Sequence, residues 1–128
     1  MSARILIVDD NPLNLKLASL VVESAGHVAD VADGPESALA AIAARRPDLI
    51  LMDLQMPGID GIQLTGIIKA DPRTRGIPVV ALTAAAMARD RERAAAAGCA
   101  GFITKPIDTR TFAAVLAPYL SDPVDRPS

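Results

Sequence analysis

A chain of 128 residues, 51% hydrophobic and 22% charged, can bury one core and is too apolar to be disordered. Its net charge of −2 supplies no large basic field for nucleic acid, and its few aromatic residues, Phe102, Phe112 and Tyr119, cannot build a base-stacking platform or an aromatic-lined flavin pocket. A single cysteine, Cys99, leaves no intrachain disulfide and no CxxC site, which points to a reducing, cytoplasmic compartment. The apolar run Ile5-Leu6-Ile7-Val8 is too short for a signal peptide. The longest apolar stretch, Ile77 to Ala88, falls well short of the ~20 residues that span a bilayer, so no membrane insertion is expected.

Apolar runs of strand type alternate with helical patterns along the chain. RILIVD (Arg4–Asp9) reads as a strand that ends in two adjacent acids, Asp9 and Asp10. Asn11-Pro12 then starts a helix as cap and first residue, with Leu13, Leu17, Leu20 and Val21 as its apolar stripe and Gly26 as its C-cap. Neither aspartate is needed as the cap. VADVA (Val28–Ala32) is a weaker strand, and Asp33-Gly34-Pro35 opens a second helix with Leu39 and Ile42 on one face. DLILMD (Asp48–Asp53) is the strongest strand signal. PGIDG makes a turn, and Asp60 caps a short helix with Leu64, Ile67 and Ile68 inward.

IPVVALT (Ile77–Thr83) reads as a fourth strand, and AAAMARDRERAAAAG as an alanine-rich helix ended by Gly98. AGFIT (Ala100–Thr104) is a fifth strand. After Lys105-Pro106, Asp108 caps a last helix with Phe112, Val115, Leu116, Tyr119 and Leu120 on one stripe, and Pro118 is placed to kink its final turn. His27 is expected in a solvent-facing loop, Cys99 as a small buried filler, and the RDRER cluster from Arg89 to Arg93 as a solvated helix face. A single domain over residues 1–120 followed by a short polar tail, 121–128, is the expected organisation.

Five β-α units with nearly continuous apolar strands predict a parallel sheet covered on both faces, a doubly wound α/β fold. Pattern alone leaves two strand orders open. In either order Asp9, Asp10, Asp53, Thr83 and Lys105 follow or end strands and gather at one sheet edge. Each has an ordinary reading: a cap for Asp10 or Thr83, a turn for Asp53, a solvated cation for Lys105. Their joint placement favours a site. Three crowded carboxylates call for a cation, and oxygen-only ligands suit a hard ion such as Mg²⁺. A lysine and a hydroxyl beside them suit a phosphoryl group in transfer to a carboxylate.

The motifs LIVDDN, LILMDLQMPGIDG, VVALTA and FITKPI, from Arg4 to about Leu120, resemble the receiver domains of bacterial response regulators. The stretches DDNPLNLKL, IPVVALTAAAM and GCAGFITKPI are most similar to single-domain regulators of the DivK type. The resemblance implies a flavodoxin-like (βα)5 fold with strand order 2-1-3-4-5. It implies Asp53 as the phosphoacceptor, with Asp9, Asp10, Asp53 and the main-chain carbonyl of Gln55 as Mg²⁺ ligands. It also implies Thr83 and Lys105 as phosphoryl-binding groups, Thr83 and Phe102 as switch residues, and a cis Lys105–Pro106 peptide. The implied function is a two-component phosphorelay receiver. Its phosphodonor is a histidine kinase or histidine phosphotransfer protein, and its output goes to a downstream protein through helix four, strand five and helix five. Such a chain is not an enzyme in the ordinary sense, since it catalyses only its own phosphorylation and dephosphorylation. The alternatives are the receiver portion of a hybrid histidine kinase and a phosphate-independent interaction module. An aspartyl-phosphate hydrolase is disfavoured because Asp53 is followed by Leu54-Gln55 with no acid two residues on. A flavin carrier is disfavoured because DDNPLN replaces a Ser/Thr/Gly phosphate loop.

Overall fold

The computed structural model describes residues 3–54, 61–83, 88–104, 114 and 117–119. Its elements follow the predicted alternation: β1 (Arg4–Val8), α1 (Pro12–Ser24), β2 (Val28–Ala32), α2 (Pro35–Ala44), β3 (Leu49–Asp53), α3 (Gly61–Ala70), β4 (Val79–Thr83), α4 (Ala88–Ala97), β5 (Gly101–Thr104) and a 3₁₀ turn at Ala117–Tyr119. All strand pairs are parallel, in the order β2-β1-β3-β4-β5. The central strands are apolar without alternation because helices cover both faces. On one face Ile5, Ile7, Leu49, Leu51, Val80 and Leu82 pack against α1. On the other, Leu6, Val8, Ile50, Met52 and Val79 pack against α2 and α3. β2 is weaker in sequence because it is an edge strand, held at its middle by Arg4 Nη1 on Asp30 Oδ2 at 2.7 Å.

α1 buries a row that shares only Val21 with the one the periodicity selects, while α2 and α3 bury their expected rows except for one residue each. In α1 the buried residues are Leu15, Ala18, Val21 and Val22, while Leu13, Leu17 and Leu20 are exposed at 62%, 53% and 54%. The helix carries two apolar rows, and the one with Ala18 at its centre lets the backbone approach the sheet. α2 buries Ala38 and Ile42 and leaves Leu39 partly out; α3 buries Leu64, Thr65 and Ile68 and leaves Ile67 out. Period 3.6 identifies an apolar row but cannot rank two of them.

The predicted start of α1 is present, while Asp60 and Asp108, expected to cap α3 and the last helix, lie outside the described residues. Asn11 Oδ1 accepts from the Leu13 and Asn14 amides, with Pro12 at the first helical position. The α1 C-cap is Ala25, and Gly26 follows it at φ 91°, a left-handed conformation that costs glycine least. Ser37 closes the start of α2 by accepting from the Gly34 amide. His27 is half-buried and not a free loop residue: its Nδ1 accepts from the Ala3 amide at 3.0 Å and latches the start of β1. Most of the last helix lies outside the described residues. Pro118 sits in the 3₁₀ turn, and Tyr119 packs onto the core where Gly101 has no side chain to obstruct it. Among the described residues no helix is long and apolar enough to cross a membrane.

Candidate functional site

The strand order changes direction between β1 and β3, so a crevice opens beyond their carboxyl ends. β1 leads into Asp9 and Asp10, and β3 ends on Asp53. One carboxylate oxygen from each of these three residues lies within 4.8 Å of the other two. Asp9 and Asp53 are buried, 1% and 4% exposed, while Asp10 is exposed.

Local structure explains why adjacent acids hold this position. The Asp9 amide donates to the Ala32 carbonyl, continuing the β1–β2 ladder one residue past the strand. Its Oδ1 accepts from the Asn11 amide at 2.9 Å, a bond that turns the chain toward α1. Asn11 thus caps α1 with its side chain and orients Asp9 with its backbone. On the other side of the crevice, the Leu54 amide donates to the Leu82 carbonyl and holds the end of β3 against β4.

The donor set fits a hard divalent ion. Two carboxylates withdrawn from water and a third at the rim create a repulsion that a cation relieves, and only oxygen ligands are offered. Thr83 ends β4, one residue beyond the Asp53–Leu82 register pair, and pairs with Thr104 at the end of β5. Phe102 is half-buried in a small cluster with Leu54, Ala81 and Ala94. Gln55, Lys105 and the Lys105–Pro106 peptide lie outside the described residues, as do Ala84 and Met87.

Cys99 is half-buried, more accessible than the buried filler expected of it. Burial pushes its thiol up, opposed by a hydrogen bond to Thr65 and by the Lys69 charge. Burial in turn lowers Lys69, whose ammonium donates to the Arg75 and Ile77 carbonyls. A thiol pushed up in this way is a weak nucleophile.

One site residue went unnoticed in the sequence. Gly61, the first residue of α3, lies so close to the end of β3 that a Cβ on it would stand 2.2 Å from the Asp53 carbonyl oxygen. In sequence it is only part of a turn motif. Nothing local signals that a helix start abuts the strand bearing Asp53.

Residues 5–117 match the response regulator receiver domain. The polar-differentiation response regulator DivK of Brucella anthropi is 40% identical over 95% of this chain and 99% of its own length. The protein of the same name from Brucella ovis is 39% identical over the same shares. A putative response regulator from Chloroflexus aurantiacus superposes with a TM-score of 0.87 at 28% identity, over 94% of this chain and 98% of that one. The receiver domain of a sensor histidine kinase from Pseudomonas aeruginosa, with a magnesium ion coordinated in its active-site cleft, gives 0.83 at 31% identity, over the same shares. With strand order, acidic crevice and sequence in agreement, this chain belongs to the response regulator receiver domain family of two-component signalling.

Proposed function

We propose that the chain accepts a phosphoryl group from a phosphohistidine onto Asp53 and passes the signal on through protein contacts. The observation that carries this reading is the meeting of three carboxylates from two strands within 4.8 Å at the crevice. Asp9, Asp10, Asp53 and the Gln55 carbonyl would hold Mg²⁺, which when bound neutralises phosphoryl oxygens. Asp53 attacks phosphorus in line. A bond forms from its carboxylate oxygen to phosphorus as the bond from phosphorus to the donor imidazole nitrogen breaks, and the imidazole leaves with the electron pair. Lys105 pairs with the transferred group and Thr83 donates a hydroxyl to it. Phe102 turns into the room Thr83 vacates and biases the face built by α4, β5 and the last helix. Hydrolysis of the acyl phosphate later resets the chain, so it turns over no separate substrate. A donor charged from ATP places it in the cytoplasm.

The test is incubation with a small-molecule phosphodonor with and without Mg²⁺, followed by mass-spectrometric mapping. A single Mg²⁺-dependent phosphate on Asp53 is expected; label elsewhere, or none, would sink the reading. The likeness to a sensor kinase receiver favours one second reading, the same chemistry inside a hybrid kinase.

Two further expectations follow from exposed surfaces. Leu13, Leu17 and Leu20 form an outward row on α1, next to the acidic crevice, suited to docking the donor protein's helices. Leu17→Glu is expected to slow transfer from a histidine phosphotransfer protein at least tenfold while labelling by the small-molecule donor stays unchanged. Equal loss with both donors would place Leu17 in folding and not in docking. α4 has Ala94 as its only buried residue among those with described side chains, so little apolar burial anchors it. Its amides are expected to exchange faster than those of α1; equal protection would argue against a mobile output helix.

A further inference from the structure

We infer that the groove between α2 and the end of α3 is a second docking site, one that takes an acidic segment of a partner protein bearing aliphatic anchors. The groove encloses about 500 Å³. Leu39, Ile42, Ala43 and Ile67 line it, and Leu39 and Ile67 remain 39% and 46% exposed. A bare aliphatic floor of this kind on two adjacent helices is a surface that a partner's side chains fill.

The rim determines which partner. Arg46, just past the end of α2, donates Nη1 across the groove to the Arg73 carbonyl, and so fixes the spacing between α2 and the loop after α3. That loop is itself rigid: the Thr74 hydroxyl donates to the Ile68 carbonyl at 2.6 Å, and Lys69 donates to the Arg75 and Ile77 carbonyls. The groove is therefore preformed, which lowers the ordering cost of binding. Arg45, Arg46, Arg73 and Arg75 are all exposed at this edge. Asp71, which also lines the groove, accepts from the Arg73 amide at 2.9 Å and from its guanidinium at 3.1 Å, so this pair cancels in charge and leaves Arg45, Arg46 and Arg75 as the cations of the edge against Asp48. The edge is cationic although the whole chain carries −2. It lies at the amino ends of the strands, opposite the acidic crevice. Carboxylates are the complementary charge, with the arginines setting orientation and the aliphatic floor most of the affinity. A nucleic-acid backbone or an anionic lipid headgroup would satisfy the arginines but leave Leu39 and Ile67 uncovered, which favours a peptide.

The experiment uses the full chain and a fluorescein-labelled octapeptide, Glu-Leu-Leu-Glu-Glu-Leu-Leu-Glu. Its controls are the same peptide with Ser for Leu or Lys for Glu, phosphatidylglycerol vesicles and oligo(dT). Saturable binding of the acidic leucine peptide is expected, with amide shifts at Leu39, Arg46 and Ile67. The binding should weaken at least tenfold in both Arg46→Glu and Ile67→Glu and be unaffected by phosphodonor and Mg²⁺. Both variants should still label at Asp53, so failure here is distinct from failure of the phosphoacceptor reading. No saturable binding, equal binding by the leucine-free peptide, vesicles or DNA, or unchanged affinity in both variants would each overturn the proposal.

Discussion

Asp53→Asn is expected to abolish phosphorylation while raising the stability of the protein without Mg²⁺. The loss of labelling follows from chemistry, because a neutral amide does not attack phosphorus and no second carboxylate occupies the end of β3. The gain in stability follows from the geometry. At the 4.8 Å limit of separation, a pair of carboxylates repels by about 1 kcal/mol in bulk water and by about 3 kcal/mol at the effective dielectric near a protein surface. Asp53 enters two of the three pairs, and it is buried, so the higher figure is the closer guide. Asn keeps the size and removes both repulsions. Loss of the carboxylate's other polar interactions sets an opposing cost of about 1–3 kcal/mol, so a net rise of several degrees in Tm is the expected reading without divalent ion. Added Mg²⁺ should shrink or reverse the difference, because only the wild type has all three carboxylates to offer it. Asp10→Ala separates the two roles: it should weaken Mg²⁺ at least tenfold by calorimetry, with the fold intact, yet leave the Asp53 nucleophile in place. Residual labelling of Asp53→Asn, or a fall of several degrees in its Tm without metal, would contradict this account.

These charges were legible in the sequence because a strand followed by acids needs no tertiary knowledge. The parallel sheet was legible for the same reason: apolar runs such as ILIV and LILM lie between helical patterns, and Asn11-Pro12 is readable on its own. What sequence could not decide was which of two apolar rows a helix buries. Leu13, Leu17 and Leu20 are larger than the row with Ala18 and were the natural choice. Close packing on the sheet selected the smaller row and left Leu13, Leu17 and Leu20 outside. His27 was misread because its partner, the Ala3 amide, is 24 residues away in the chain. Arg46 and Arg73, 27 residues apart, carry no joint signal in the sequence; the fold brings them together across one groove.

Gly61→Ala is expected to damage both the fold and the reaction, through a contact no motif reveals. The added Cβ would stand 2.2 Å from the Asp53 carbonyl oxygen and 2.9 Å from the Leu54 Cα, and all of these are backbone atoms that no rotamer change can clear. Either α3 withdraws or the end of β3 yields. The second is resisted by the ladder from Leu54 to Leu82, so part of the strain reaches Asp53. Overpacking of this kind costs about 1–3 kcal/mol. A nucleophile displaced by about 1 Å loses up to about 100-fold in rate. Gly66 supplies the control within the same helix: nothing lies within 4 Å of its would-be Cβ. Gly66→Ala should therefore stabilise the protein by up to about 1 kcal/mol through helix propensity and leave labelling intact. Opposite signs from the same substitution five residues apart would locate the effect at the Asp53 contact and not in helix content. If Gly61→Ala unfolds at the wild-type temperature and labels at the wild-type rate, the approach of α3 to the strand bearing Asp53 is not as close as described.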